Sequence, residues 1–190
     1  MQPLRDMDSD RGMTLVELLV YSLLLVLVLS IVGGMLASTT TTSKTVGSIT
    51  QATTAGQLVT DSVTRGIRNS SDFQLTTPVG TDQLLVARTA QGSATLTWTC
   101  AAWYYSAAGV GTIYYTTSST AIPAAPTATD LAGWTLLNTG ISPLSGTDIF
   151  TEDGTQISLD FNATAGSNPP VAITSSAVSR AGATGVPACY

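Results

Sequence analysis

The sequence predicts an α+β fold: a long amino-terminal α-helix whose first half spans a membrane and whose second half packs against an antiparallel β-sheet head. Three features carry this reading. From Met13 to Leu36 the only charged side chain is Glu17. From Val46 to Ile67 apolar or small residues recur at steps of three and four, the period of one helix face. From Phe73 onward Thr, Ser, Val, Tyr and Gly dominate and turn residues are frequent, which is strand composition.

The apolar run comes first. At ~1.5 Å per residue a helix from Met13 to Leu36 is ~36 Å long, and a bilayer core of ~30 Å needs about 20 mostly apolar residues. Leu15, Val16, Leu18, Leu19, Leu23, Leu24, Leu25, Leu27, Leu29 and Ile31 form its surface. Glu17 is the exception. A carboxylate inside such a segment costs on the order of several kcal/mol and is normally kept for a partner or a function. The bland alternative is a side chain near the helix end that reaches headgroup water.

Two further features weigh against the bland reading. Glu17 stands four residues after Met13 and behind Gly12, a junction small enough to enter a protease cleft. The stretch Gly12-Met13-Thr14-Leu15-Val16-Glu17-Leu18-Leu19 resembles the type IV prepilin signature, over about 25 residues of the chain. In that family a dedicated peptidase cuts after the glycine and methylates the new terminus. The resemblance implies that residues 1–12 are a leader peptide, that Met13 becomes the amino terminus, and that Glu17 is an assembly residue. It further implies that Glu17 of an incoming subunit pairs with the terminal ammonium of one already assembled. Its partners would be other pilin or pseudopilin subunits, the prepilin peptidase/N-methyltransferase, an assembly platform protein and the membrane.

Composition narrows the rest. The 190 residues, 44% of them hydrophobic, suffice for one globular domain besides the helix. With 7 basic and 12 acidic residues the net charge is −5, and no basic stripe exists to neutralise phosphates, which argues against nucleic acid as a partner. The absence of histidine excludes His-ligated zinc and His-based triads. No serine or threonine has an evident activating base, so the chain is read as a non-enzyme without metal or cofactor. Arg5 and Arg11 precede the apolar run and Lys44 follows it, a bias toward a cytoplasmic amino terminus and an extracytoplasmic head. Asp6, Asp8 and Asp10 dilute it and depart from the more basic leaders of the family. A secretory signal peptide is the competing reading, but Glu17 would lie in its apolar core and Val32-Gly33-Gly34 is a poor cleavage site.

One helix is expected from about Thr14 to Asn69: residues 13–36 as membrane or filament core, residues 37–70 as its amphipathic second half. The stripe is Val46, Ile49, Thr53, Gly56, Val59, Val63 and Ile67. Gly33-Gly34 and Thr39-Thr40-Thr41-Thr42 are weak helix formers. They either let residues 33–43 unwind on assembly or ease close helix packing.

Residues 71–190 form the β-rich head. Strands are expected at Phe73–Thr76, Gln83–Arg88, Ala94–Cys100, Trp103–Ser106, Thr112–Thr116, Gly133–Leu137, Gln156–Phe161 and Val171–Ser175. Ala107-Ala108-Gly109-Val110-Gly111 reads as a hairpin loop that pairs Trp103-Tyr104-Tyr105 with Ile113-Tyr114-Tyr115. Asp153-Gly154 signals a type I′ turn folding Thr147–Phe150 onto Gln156–Phe161, and Thr117–Asp130 a long surface loop. Trp98 and the Trp103–Tyr105 and Tyr114–Tyr115 aromatics serve either core packing or a binding platform. Asp148, Glu152, Asp153 and Asp160 either hold calcium, without EF-hand spacing, or form a solvated turn.

Cys100 and Cys189 remain. In an exported domain a disulfide between them would anchor a Gly- and Pro-rich tail to the sheet; the alternative is two free thiols. Within the family, mature length and the aromatic hairpin are more similar to a minor pilin, or a J-type pseudopilin of a type II secretion-like system, than to a major pilin. Two other classes are left open: a DNA-uptake or adhesive pilin that binds a ligand through its head, with the acidic balance against DNA, and a membrane-anchored extracytoplasmic adhesion or ligand-binding domain that never polymerises.

Overall fold

The computed structural model describes residues 14–91, 97–179 and 188–190. The proposed leader 1–12, Met13 and the tail glycines Gly182 and Gly185 lie outside the described residues. The chain divides into two compact units, one ending at Thr45 and one beginning at Val46.

Helix α1 runs from Leu15 to Arg68. The threonine run does not interrupt it, and its hydroxyls turn back onto the helix. Thr39 Oγ1 donates to Met35 O at 2.8 Å, Thr41 Oγ1 to Ala37 O at 3.1 Å and Thr42 Oγ1 to Ser38 O at 3.0 Å. Such back-bonding satisfies a hydroxyl without water. At the other end Ser70 Oγ donates to Ile67 O at 2.7 Å, and Arg65 and Arg68 occupy the last turn, where positive charge opposes the helix dipole.

In the second unit the buried face of α1 is Ala52, Gly56, Val59, Val63 and Ile67. The stripe is thus as expected from Gly56 on, while Val46 and Ile49 are exposed and Ala52 replaces Thr53. Two antiparallel sheets meet this face. The first takes its strands in sequence order: β1 (Ser70–Thr76), β2 (Gln83–Gln91), β3 (Thr97–Ser106), β4 (Thr112–Ser118) and β5 (Thr135–Thr139). The second is built on β8 (Gln156–Ala165). Along one edge it pairs successively with β7 (Phe150–Asp153) and β6 (Ile141–Pro143), and β9 (Asn168–Val178) also pairs with it. One core joins Val59, Val63 and Ile67 to Leu85, Ala101 and Trp103 of the first sheet and to Ile157, Leu159 and Phe161 of the second.

Close approach of helix and sheets depends on two glycines. A Cβ on Gly56 would overlap Ile173, and one on Gly66 would overlap the ring of Trp103. Trp103 is 1% exposed, and its Nε1 donates to Ser62 Oγ at 2.9 Å. Glycine in a helix interior is ~1 kcal/mol worse than alanine; here that is offset by admitting an indole to the helix surface.

The runs Leu84-Leu85-Val86-Ala87 and Cys100-Ala101-Ala102-Trp103-Tyr104-Tyr105 do not alternate with polar residues because both faces of the first sheet are covered. Leu85, Ala87, Ala101, Trp103 and Tyr105 join the core under the helix. Leu84, Val86, Cys100, Ala102 and Tyr104 face the other way, against Ile122 and Cys189. That layer is tied down by the Cys100–Cys189 disulfide, whose Cα atoms are 5.3 Å apart, and by Ile122 N donating to Cys189 O at 3.0 Å. Tyr104 Oη donates to Asp82 Oδ2 at 2.5 Å; burial, and then this acceptor, push its hydroxyl well above the usual tyrosine range. Arg88, also buried, donates from Nε to Ser71 Oγ at 2.7 Å and lies over the Trp98 ring.

A buried amide joins the two sheets. Gln83 Oε1 accepts from Ile149 N at 2.8 Å and Phe150 N at 2.9 Å, and its Nε2 donates to Phe150 O at 2.9 Å. With bonds at both its oxygen and its nitrogen, this buried amide avoids the desolvation penalty an orphan would carry.

Several strand boundaries differ from expectation. The two strands expected at Ala94–Cys100 and Trp103–Ser106 are one, β3, since Ala101 and Ala102 pair with Ala87 and Val86 without a break; residues 94–96 lie outside the described set. The aromatic hairpin is as expected, with Trp103 opposite Tyr115 and Tyr104 opposite Tyr114. Strand β5 starts two residues late because a Thr127–Asp130 capping box turns the loop into a one-turn helix, α2 (Ala128–Leu131). Hydrogen bonds closing its end occupy Gly133 and Trp134. The Asp153-Gly154 turn is real but of the II′ kind. Asp153 pairs with Gln156, and only Gly154 of the two central residues has positive φ, at 61°. That register makes the strand Phe150–Asp153, not Thr147–Phe150.

The glycines give a direct test of helix packing. Gly66→Ala is expected to destabilise the chain by ~1–3 kcal/mol through overpacking against Trp103. Gly47→Ala, where nothing lies within 4 Å, is expected to be stabilising by ~0.4–1 kcal/mol. Thermal unfolding of both variants in one detergent checks the opposite signs.

Candidate functional site

The first helical turn is set by Thr14. Leu18 N donates to Thr14 O at 3.1 Å and Glu17 N to Thr14 Oγ1 at 3.3 Å, so the threonine satisfies one of the amides that a helix start leaves unpaired. Glu17 lies in this turn, where the dipole favours an anion.

Beyond it the helix is apolar on every side and exposed on every side. Leu15, Val16, Leu18, Leu19, Leu23, Leu24, Leu25, Leu27, Leu29 and Ile31 are all exposed by half or more. Monomeric soluble proteins rarely expose contiguous apolar patches beyond a few hundred Å². This surface therefore requires lipid or protein to cover it. Among the described residues this is the one helix long and apolar enough to cross a membrane. From Leu15 to Leu36 it measures ~33 Å, matching a hydrocarbon core of ~30 Å.

Polar side chains within that span are each accounted for. Ser22 Oγ donates to Leu19 O at 2.9 Å and Ser30 Oγ to Val26 O at 2.8 Å, so both serines are satisfied by their own backbone. Tyr21 Oη donates to Glu17 Oε1 at 3.2 Å. Glu17 is then a carboxylate with one neutral donor and no cation beside it among the described residues. Such a carboxylate can accept charge-assisted hydrogen bonds from a cationic group.

Of the residues singled out in the sequence, Cys100 and Cys189 are brought together as a disulfide. Gly12 and Met13 lie outside the described residues. Sequence reading missed Tyr21 and the capping role of Thr14. Both had a signal, the i,i+4 spacing of Glu17 and Tyr21 and the Thr-x-x-Glu spacing of Thr14 and Glu17.

Among its described residues the head offers grooves but no assembled chemistry. One, of about 430 Å³, is lined by Leu58, Asp61, Arg65, Asn69, Trp103 and Tyr115, and its indole is buried and committed to Ser62. The aromatic hairpin thus packs inward, with Trp103, Tyr104 and Tyr105 all buried. Among the described residues no three His, Cys, Asp or Glu side chains are grouped to hold a metal ion.

Comparison with protein-family models, curated proteins and solved structures gives no match to this chain. Its functional reading therefore rests on its own residues.

A charge at the centre of the apolar run tests whether lipid covers it. Leu25→Lys adds ~2.5–3.5 kcal/mol to insertion at a helix centre. It is expected to shift the chain from the carbonate-resistant membrane pellet to the soluble or aggregated fraction, read by quantitative blotting.

Proposed function

We propose that this chain is a structural subunit, not an enzyme, of a type IV pilus or type II secretion-like filament, of the minor pilin or pseudopilin kind. It waits in the cytoplasmic membrane with the head outside, is cut after Gly12 by a prepilin peptidase, and is drawn into a helical fibre by an assembly platform. In the fibre the helix up to Leu36 exchanges lipid for neighbouring helices. Glu17 pairs there with the Met13 ammonium of an adjacent subunit.

The observation that carries this reading is Glu17, the one charged residue between Met13 and Leu36, on a stretch of helix exposed all round from Leu15 to Leu36, four residues from a Gly12–Met13 junction. Deleting one partner of a buried ion pair typically costs ~3–5 kcal/mol. That is enough to set register on a surface otherwise made of Leu and Val. The Cys100–Cys189 disulfide supports an oxidising compartment for the head, in keeping with an extracytoplasmic location.

A second reading is a membrane-anchored extracytoplasmic domain that does not polymerise. It is favoured by the hydrogen bond from Tyr21, which already gives Glu17 a partner within its own helix.

Co-expression with a prepilin peptidase and intact-mass measurement separates the two. A mass loss equal to residues 1–12, with or without an added methyl group, is the expected result. A chain that keeps residues 1–12 contradicts the filament reading.

A further inference from the structure

We infer that Tyr21 is a positioning residue of the assembly contact: its hydroxyl holds one oxygen of the Glu17 carboxylate and presents the other to the incoming ammonium. The inference rests on the filament reading above and deepens it.

From Leu15 to Leu36 the polar side chains are Glu17, Tyr21, Ser22 and Ser30. The two serine hydroxyls are taken up by carbonyls of their own helix, at Leu19 and Val26, and have no further proton to offer. Tyr21 differs. Its Oη reaches back one turn and donates to Glu17 Oε1 at 3.2 Å. The direction follows from helix geometry, since Cα–Cβ bonds tilt toward the amino terminus and the side chain at i+4 lies over residue i. Both residues are exposed on the helix surface, where lipid or a neighbouring helix would lie.

Two consequences follow for a carboxylate in an apolar medium. A hydroxyl donating to an ionised oxygen makes a charge-assisted bond, about twice as strong as a neutral one, and it strengthens where the dielectric is low. Tyr21 therefore lowers the cost of carrying the charge in lipid before a partner arrives. It also fixes direction: with Oε1 held, Oε2 is the oxygen left open to a cation. A phenylalanine at this position would keep the ring and its apolar contacts and lose only the donor.

The test is a double-mutant cycle on the full chain, co-expressed with its peptidase and assembly machinery. Parent, Tyr21→Phe, Glu17→Gln and the double variant are compared, with intact mass confirming leader removal in each. The readout is the amount of subunit in sheared fibres relative to the membrane pool. Tyr21→Phe is expected to lower that ratio at least about tenfold, as loss of a hydrogen bond to a charged group implies, and to have no further effect when Glu17 is already Gln. Parent-level assembly of Tyr21→Phe beside a defective Glu17→Gln overturns the inference and leaves the filament reading standing. An equal loss from Tyr21→Phe in both backgrounds also overturns it, because the hydroxyl would then act elsewhere. Parent-level assembly of Glu17→Gln overturns the filament reading itself, and this inference with it.

Discussion

A carboxylate among leucines has few stable arrangements. Water can solvate it, a proton can neutralise it, or a donor can be held against it, and the apolar surface of α1 offers little of the first. Glu17 sits in the first turn of that helix, with the dipole in its favour and the Tyr21 hydroxyl 3.2 Å away. Neither supplies a full positive charge. Everything proposed for this chain follows from that shortfall: among the described residues no cation lies beside the carboxylate, and we propose that another subunit supplies it. The cation implied by the Gly12–Met13 junction is an amino terminus freed by proteolysis.

The same helix meets a different constraint from Val46 on. There it must lie under two sheets at once, and its sequence gives up side chains to do so, with Gly56 beneath Ile173 and Phe161 and Gly66 beneath Trp103. The sheets are held to each other by Gln83, which binds the backbone of Ile149 and Phe150. On the far face of the first sheet, the disulfide holds Cys189 against Ile122. A disulfide typically contributes about 2–4 kcal/mol. The head therefore has hydrogen-bonded and covalent ties besides its apolar core.

How much of this could be read beforehand depends on the range of the interaction. The long helix, its buried stripe from Gly56 to Ile67 and the aromatic hairpin are local patterns, and they stand in the structure as the residues imply. For the disulfide the count of two cysteines allows one pairing, while the alternative of two free thiols is settled only by the structure. Strand β6 was not legible, because it is three residues long, contains Pro143 and exists only through its pairing with β8. The role of Gln83 was hidden for the same reason, its partners being 66 and 67 positions away. No local pattern marks Gly66 as a packing position, because its reason is the Trp103 ring of a distant strand. Around Glu17 the anomaly is plain in the sequence, and the spacing of Tyr21 from the acid is that of one helix turn.

The most direct measurement is a density map of the assembled fibre at a resolution that shows side chains. The account predicts a Glu17 carboxylate oxygen within about 4 Å of the amino nitrogen of Met13 in an adjacent subunit, in a core closed to solvent. A fibre in which Glu17 faces water, or in which the terminal amine of each neighbour lies elsewhere, would contradict it.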